Sequence, residues 1–126
     1  MNVPEDLKYT PEHEWVGVEG ALATVGVTDY AQGELGDVVF IELPRVGTEV
    51  KLGEAFGTIE AVKAVSEIYS PVTGKVVEVN TMLGDDPMIV NRDCYGEGWI
   101  IKVEMDDHSD LDRLLDAEGY SNLLAH

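Results

Sequence analysis

Residues Gly53 to Gly74 read GEAFGTIEAVKAVSEIYSPVTG, and the length of this stretch constrains the fold more than any other feature. From Ala55 to Tyr69 no Asn-Gly, Asp-Gly or Gly-Pro pair interrupts the chain, and Thr, Ile, Val, Phe and Tyr recur throughout. By propensity the run is one strand. At roughly 3.3 Å per residue such a strand would span about 50 Å. A compact chain of 126 residues has an expected radius of gyration near ~14 Å, a sphere about 36 Å across. One straight strand does not fit. The chain must reverse near the middle of the run, and the residue there is Lys63, between Val62 and Ala64. A β-branched Val62 disfavours positive φ, so the reversal suits a type I turn and not a type I′ turn.

Short, glycine-punctuated strands surround this hairpin. EWVGVEGALATVGVT predicts two strands meeting at Glu19-Gly20. Thr28 or Asp29 can cap a brief helix through YAQGEL, which Gly36 ends. DVVFIELP, GTEVKLG, GKVVEVN and GWIIKVEM read as further strands, and DDPMIVN opens with a turn or helical turn. Only the end is plainly helical: Ser109 or Asp110 starts LDRLLDAEG, with Leu111, Leu114 and Leu115 on one face. Tyr120, Leu123 and Leu124 repeat that spacing. The pattern predicts a mainly β fold, a small barrel or sandwich, with helices as an appendage. A weak internal echo, P-x-x-G-x-x-V at Pro44–Val50 and again at Pro71–Val77, places similar units on either side of the hairpin.

One domain, residues 1–126, suits this length. The charge balance narrows the partners: 25 acidic residues against 8 basic ones give a net charge of −17. That argues against nucleic acid and anionic membrane surfaces. It favours proteins with basic docking faces. A single cysteine, Cys94, excludes an intramolecular disulfide and fits a reducing compartment. No apolar run approaches the ~18 residues of a membrane span. MNVPEDLKYT lacks the character of a secretion signal or a transit peptide, so a cytoplasmic protein is expected, or a mitochondrial matrix one if a presequence was removed.

Enzymatic machinery is not legible. There is no phosphate-cradling Gly-rich loop, no dinucleotide fingerprint and no C-x-x-C. His13, His108 and His126 are far apart, and Glu12-His13-Glu14 reads as a surface strand better than as a metal fragment, because neighbours on a strand alternate faces. Cys94 has Arg92, Asp93 and Glu97 around it, which suits a loop thiol better than a nucleophile. A Schiff-base lysine needs burial or nearby cations. The charges flanking Lys63 are Glu60 and Glu67. A lysine on a protruding tip is instead open to acylation by another protein. Composition and spacing reach a presented lysine and stop there.

EAVKAVSEIYSPVTGKVVEVN is similar to the lipoyl-attachment hairpin of the glycine cleavage H-protein family. YTPEHEWV, VGVTDYAQGELGDVVFIELPRVGTEV, IVN at Ile89–Asn91, YGEGW at Tyr95–Trp99 and LLDAEGY at Leu114–Tyr120 extend the resemblance over about 7–124. It implies a lipoyl-domain-like barrel-sandwich hybrid, with the hairpin at about 55–69 and helices at about 109–124. It implies lipoate in amide linkage on Lys63, with Glu60, Val62 and Ala64 flanking the site read by a lipoate ligase or a lipoyl/octanoyl transferase. A cleft with Glu14, Glu67 and Glu12 would hold the aminomethyl-loaded arm through its ammonium. The implied partners are a pyridoxal-phosphate glycine decarboxylase, a tetrahydrofolate-dependent aminomethyltransferase and an FAD-dependent dihydrolipoyl dehydrogenase, served by a monomeric, non-catalytic carrier. Departures from the family pattern are Ala61 where a small Ser is common and Cys94 where Pro is common.

Two other classes stay open on these residues. One is a lipoyl-relay protein or another lipoyl or biotinyl carrier, although biotin domains flank their lysine with Met, where Val62 and Ala64 stand here. The other is a β-sheet interaction module without a prosthetic group.

Overall fold

The computed structural model describes residues 2–125, so His126 lies outside the described residues. Strands β1 (Lys8–Tyr9), β2 (Glu14–Glu19) and β3 (Leu22–Val27) run antiparallel in succession, with Glu19 opposite Leu22 across the expected tight turn. Helix α1 (Asp29–Leu35) follows. The Thr28 hydroxyl accepts from the Ala31 N–H, and Gly36 ends the helix with φ 79°. A non-glycine residue would be strained there, so the end of this helix is written locally.

β4 (Val38–Glu42), β5 (Glu49–Val50), β6 (Ala55–Ala61), β7 (Val65–Tyr69) and β8 (Gly74–Val79) come next. Two single-turn helices, α2 (Met82–Asp85) and α3 (Ile89–Arg92), then lead to β9 (Ile101–Met105). The strands form two sheets: β1-β2-β3-β9-β8-β5, and β4-β6-β7. The inward side chains of both sheets meet in one core that includes Val16, Val25, Val38, Ile59, Ile68, Val76, Ile101 and Val103, all at most 1% exposed. Fully burying each such side chain is worth about 1.5–3 kcal/mol.

The two copies of the internal echo pair with each other. Val50 stands opposite Gly74 and Glu49 opposite Lys75, while the Gly47 N–H donates to the Val76 carbonyl at 2.7 Å. The segment between them is thereby closed off as a separate loop of the fold, and it contains the β6–β7 hairpin.

The C-terminal segment differs from the continuous helix expected from Ser109 to Gly119. A 3₁₀ helix covers His108–Arg113 and α4 covers Ala117–Leu124. Between them Leu115 is extended and exchanges both main-chain hydrogen bonds with Tyr9, each 2.8 Å. The Asp116 carboxylate then caps α4 by accepting from the Gly119 N–H. A strand-like bridge and a strong N-cap win over the leucine periodicity. Helix α4 is held by Tyr120, whose ring stacks on Tyr9 with centroids 4.7 Å apart. Its hydroxyl lies 2.7 Å from both the Thr28 hydroxyl and His13 Nδ1.

Candidate functional site

The β6–β7 run folds back on itself, with Ala55 opposite Tyr69 and Glu60 opposite Val65. Val62, Lys63 and Ala64 form the connection, and the Ala61 N–H donates to the Ala64 carbonyl at 2.8 Å. Among the described residues only His13 combines a side chain with positive φ, so this turn uses no left-handed backbone. Lys63 is exposed at its end and makes no ion pair among the described residues. Its methylene stem lies over the α1–β4 connection: a Cβ added to Gly36 would sit 3.3 Å from Lys63 Cδ and Cε.

That connection is fastened by Asn91, which the sequence reading met only as the last residue of the IVN segment, with no role attached to it. The Val62 N–H donates to the Asp37 carbonyl at 3.0 Å. Asn91 of α3 accepts from the Val38 N–H (2.9 Å) and donates to the Gly36 carbonyl (2.8 Å) and to Gln32 Oε1 (3.1 Å). One amide side chain therefore ties α1, the Gly36–Val38 turn and, through Asp37, the hairpin tip. Its sequence signal is its place in the IVN segment of the resemblance, a polar residue that follows Ile89 and Val90.

Glu14 is the second unusual group. Placed on a surface strand by the alternation argument, it is in fact 2% exposed, while Glu12 is exposed and His13 takes φ 73°. The positive φ breaks the alternation and turns the Glu14 side chain inward. The Thr10 hydroxyl donates to Glu14 Oε1 at 2.6 Å, and the Tyr69 N–H donates to Oε2 at 3.3 Å. Burial pushes the carboxyl up to about 7; those two hydrogen bonds pull the other way, and the Glu12 charge adds a further upward push. The group is poised to change charge near neutrality.

An open cleft of about 190 Å³ runs past this carboxyl, walled by Thr10, Glu12, Glu14, Tyr69, Arg113 and Leu114. Most of its lining is apolar, and Leu52 closes one side. Glu67 is not on its walls, but Glu67 accepts from the Tyr69 hydroxyl at 3.2 Å and is thus linked to one of them. Arg113 and Leu114 reach the cleft because the Leu115–Tyr9 bridge lays the C-terminal segment beside β1. The structure thus brings Glu14 and Glu12 together and puts Lys63, Glu60, Val62 and Ala64 at one tip.

An amide-linked, chain-like group fits these residues. Lys63 offers an exposed amine on a fixed turn, and the cleft offers apolar walls with one buried carboxylate that can meet an ammonium. No group of three or more metal-binding side chains occurs among the described residues. Cys94 is buried, and burial raises its thiol to about 12. No helix is long and apolar enough to cross a membrane among the described residues.

Comparison with known proteins agrees with this geometry. The model of the glycine cleavage H-protein family matches residues 7–126. A glycine cleavage system H protein of Symbiobacterium thermophilum is 58% identical over 119 residues, 94% of this chain and 93% of that one. One from Carboxydothermus hydrogenoformans is 55% identical over 122 residues, 97% of this chain and 94% of that one. The crystal structure of a glycine cleavage system H protein from Mycobacterium marinum superposes with a TM-score of 0.90 at 38% identity, covering 98% of this chain and all of that one. The two sheets are those of a lipoyl-domain-like barrel-sandwich hybrid. The chain belongs to the glycine cleavage H-protein family.

Proposed function

We propose that this chain is a lipoyl-bearing carrier of the glycine cleavage system, acting as one domain with no catalytic residue of its own. The observation that carries the reading is Lys63, exposed on the three-residue connection of a hairpin that α1 and Asn91 hold in place. Lipoate joined to Lys63 Nζ would supply a redox-active dithiolane able to take up a one-carbon amine from the pyridoxal-phosphate glycine decarboxylase, give it to the tetrahydrofolate-dependent aminomethyltransferase, and be reoxidised by the FAD-dependent dihydrolipoyl dehydrogenase. A covalent tether keeps the cargo at high effective concentration near each partner.

The chain's own residues present and shield. β6 and β7 hold the root of the arm, and Glu60, Val62 and Ala64 are the flanking groups that a lipoate ligase or lipoyl/octanoyl transferase meets first. Glu14, ionised when a cation enters the cleft, would pair with an ammonium while Leu52 and Leu114 exclude water from it. Glu12 adds negative charge at the same cleft, and Glu67 acts through the Tyr69 hydroxyl. The carrier works as a monomer in the cytoplasm in this reading.

Intact mass and peptide mapping of protein made in lipoate-supplied cells test it. A lipoyl-sized increase on Lys63, absent from Lys63→Arg, is expected, with glycine-dependent carbon dioxide exchange lost in the variant and its thermal unfolding unchanged. A biotin-sized increase, no modification, or full exchange activity in Lys63→Arg overturns the proposal.

A further inference from the structure

We propose that the outer face of the β4-β6-β7 sheet is the docking surface for the enzyme that acylates Lys63, and that Phe40 and Val65 are its apolar anchors. The inference rests on the carrier reading and extends its ligase-facing groups, Glu60, Val62 and Ala64, to the sheet face beside them.

Four apolar side chains lie bare around the lysine: Val39 (55% exposed), Phe40 (52%), Val62 (73%) and Val65 (66%). Their grouping follows from strand register. Phe40 stands opposite Glu60, and Glu60 opposite Val65, so the three form one row across the sheet on the same face. The inner face carries Ile41 opposite Ile59, both buried. A register shift between Val38 and Phe40 makes Val39 the extra residue of a bulge, which leaves two consecutive apolar residues exposed where a regular strand would bury one. Bulges commonly re-aim a side chain next to a functional site. Val62 joins the cluster because its N–H is bonded to the Asp37 carbonyl, one residue before β4. Exposed apolar residues scattered singly need no explanation, but a group of four at one tip marks an interaction site.

Carboxylates surround the group. Glu60 sits within the apolar row, Glu42 and Glu67 occupy the next row of the same face, and exposed Asp37 adjoins the tip. The complementary partner surface is an apolar depression rimmed by Lys and Arg. Distance selects which enzyme fits. Forming the amide takes place at Nζ itself: the ammonium sheds a proton, and the amide N–C bond forms as the bond from the acyl carbon to its leaving group breaks. The leaving group departs with that electron pair, and the nitrogen gives up a second proton. An enzyme doing this must cover the root of the side chain, with Val62 adjacent, Val65 two residues on, and Phe40 in the strand row that Val65 and Glu60 complete. Enzymes that act on the far end of the arm work an arm's length away and need not touch them.

The test uses protein made without lipoate, acylated by a purified lipoate ligase with lipoate and ATP and followed by intact mass. Phe40→Ser and Val65→Ser are expected to raise KM about tenfold or more, with kcat within about twofold. Phe40→Leu restores most of the loss, Val77→Ser on β8 behaves as wild type, and KM rises with salt. Thermal unfolding checks the variants, and Val65→Ser carries the test if Phe40→Ser does not fold. An unchanged KM in folded Phe40→Ser and Val65→Ser overturns the docking surface while leaving the carrier reading standing. Normal acylation with weakened glycine decarboxylase exchange assigns the face to that enzyme and likewise overturns the proposal. Failure of wild-type Lys63 to be acylated removes the carrier reading and this inference with it.

Discussion

The Thr10 hydroxyl donates to Glu14 Oε1 at 2.6 Å, one of two hydrogen bonds that the buried carboxyl receives among the described residues. Burial nonetheless dominates and raises the group from its ordinary 4.5 to about 7. A raised folded-state value means that the protonated carboxyl is the one folding favours. Its contribution is complete below pH 4.5 and is lost as pH rises through about 7. A shift of this size corresponds to about 3 kcal/mol as an upper figure. Urea unfolding of wild type and Glu14→Gln across pH 4.5 to 8 should show wild type losing stability relative to the variant by a sizeable part of that amount. A difference that stays flat with pH would mean that Glu14 is not desolvated.

Asn91 holds three partners on two segments, so Asn91→Ala leaves the Val38 N–H and the Gly36 carbonyl without their bonds. A cost of about 1–3 kcal/mol is expected. The specific signature is faster hydrogen exchange at the Val62 amide, whose acceptor Asp37 sits in the loosened turn. Unchanged exchange at Val62 with lowered global stability would assign Asn91 to the core alone.

Cys94 should be inert. With burial raising its thiol to about 12, the thiolate fraction at pH 8 is on the order of 10⁻⁴. Native protein is expected to resist iodoacetamide for hours and to react promptly once unfolded in urea. Fast alkylation of the native state would contradict the burial.

Tyr120 combines stacking on Tyr9 with a hydroxyl shared between Thr28 and His13. Tyr120→Phe keeps the stacking and should cost about 1 kcal/mol. Tyr120→Ala leaves a cavity and should cost about 3–5 kcal/mol. The alanine variant should also speed exchange of the Leu115 amide, because α4 is what keeps that residue against Tyr9. Equal costs for the two variants would assign the whole effect to the hydroxyl.

Local chemistry was readable in the chain; partnerships at long range were not. Thr28 and Gly36 bound α1 where capping chemistry puts them, and the Ala55–Tyr69 run reverses at Lys63 because its length allows nothing else. The inward turn of Glu14 goes with a positive φ at His13, and although His takes that conformation more often than most side chains, it does so too rarely for the sequence to place one there. Leu115 looked like a helix residue because its leucine spacing is helical, and only the presence of Tyr9 beside it makes the extended form better. The partners of Asn91 and the bulge at Val39 likewise emerge only when α1, α3 and the hairpin are brought together.

The exchange of hydrogen bonds between Tyr9 and Leu115 joins opposite ends of the sequence. On the ribosome, the lysine-bearing loop emerges well before residue 115 does, so the side of the cleft built from Arg113 and Leu114 is the last part to arrive. In the proposed carrier, the cleft that would shelter the arm is therefore finished only after residues 113–115 have been made. A nascent chain released before residue 113 would carry Lys63 without that wall of the cleft.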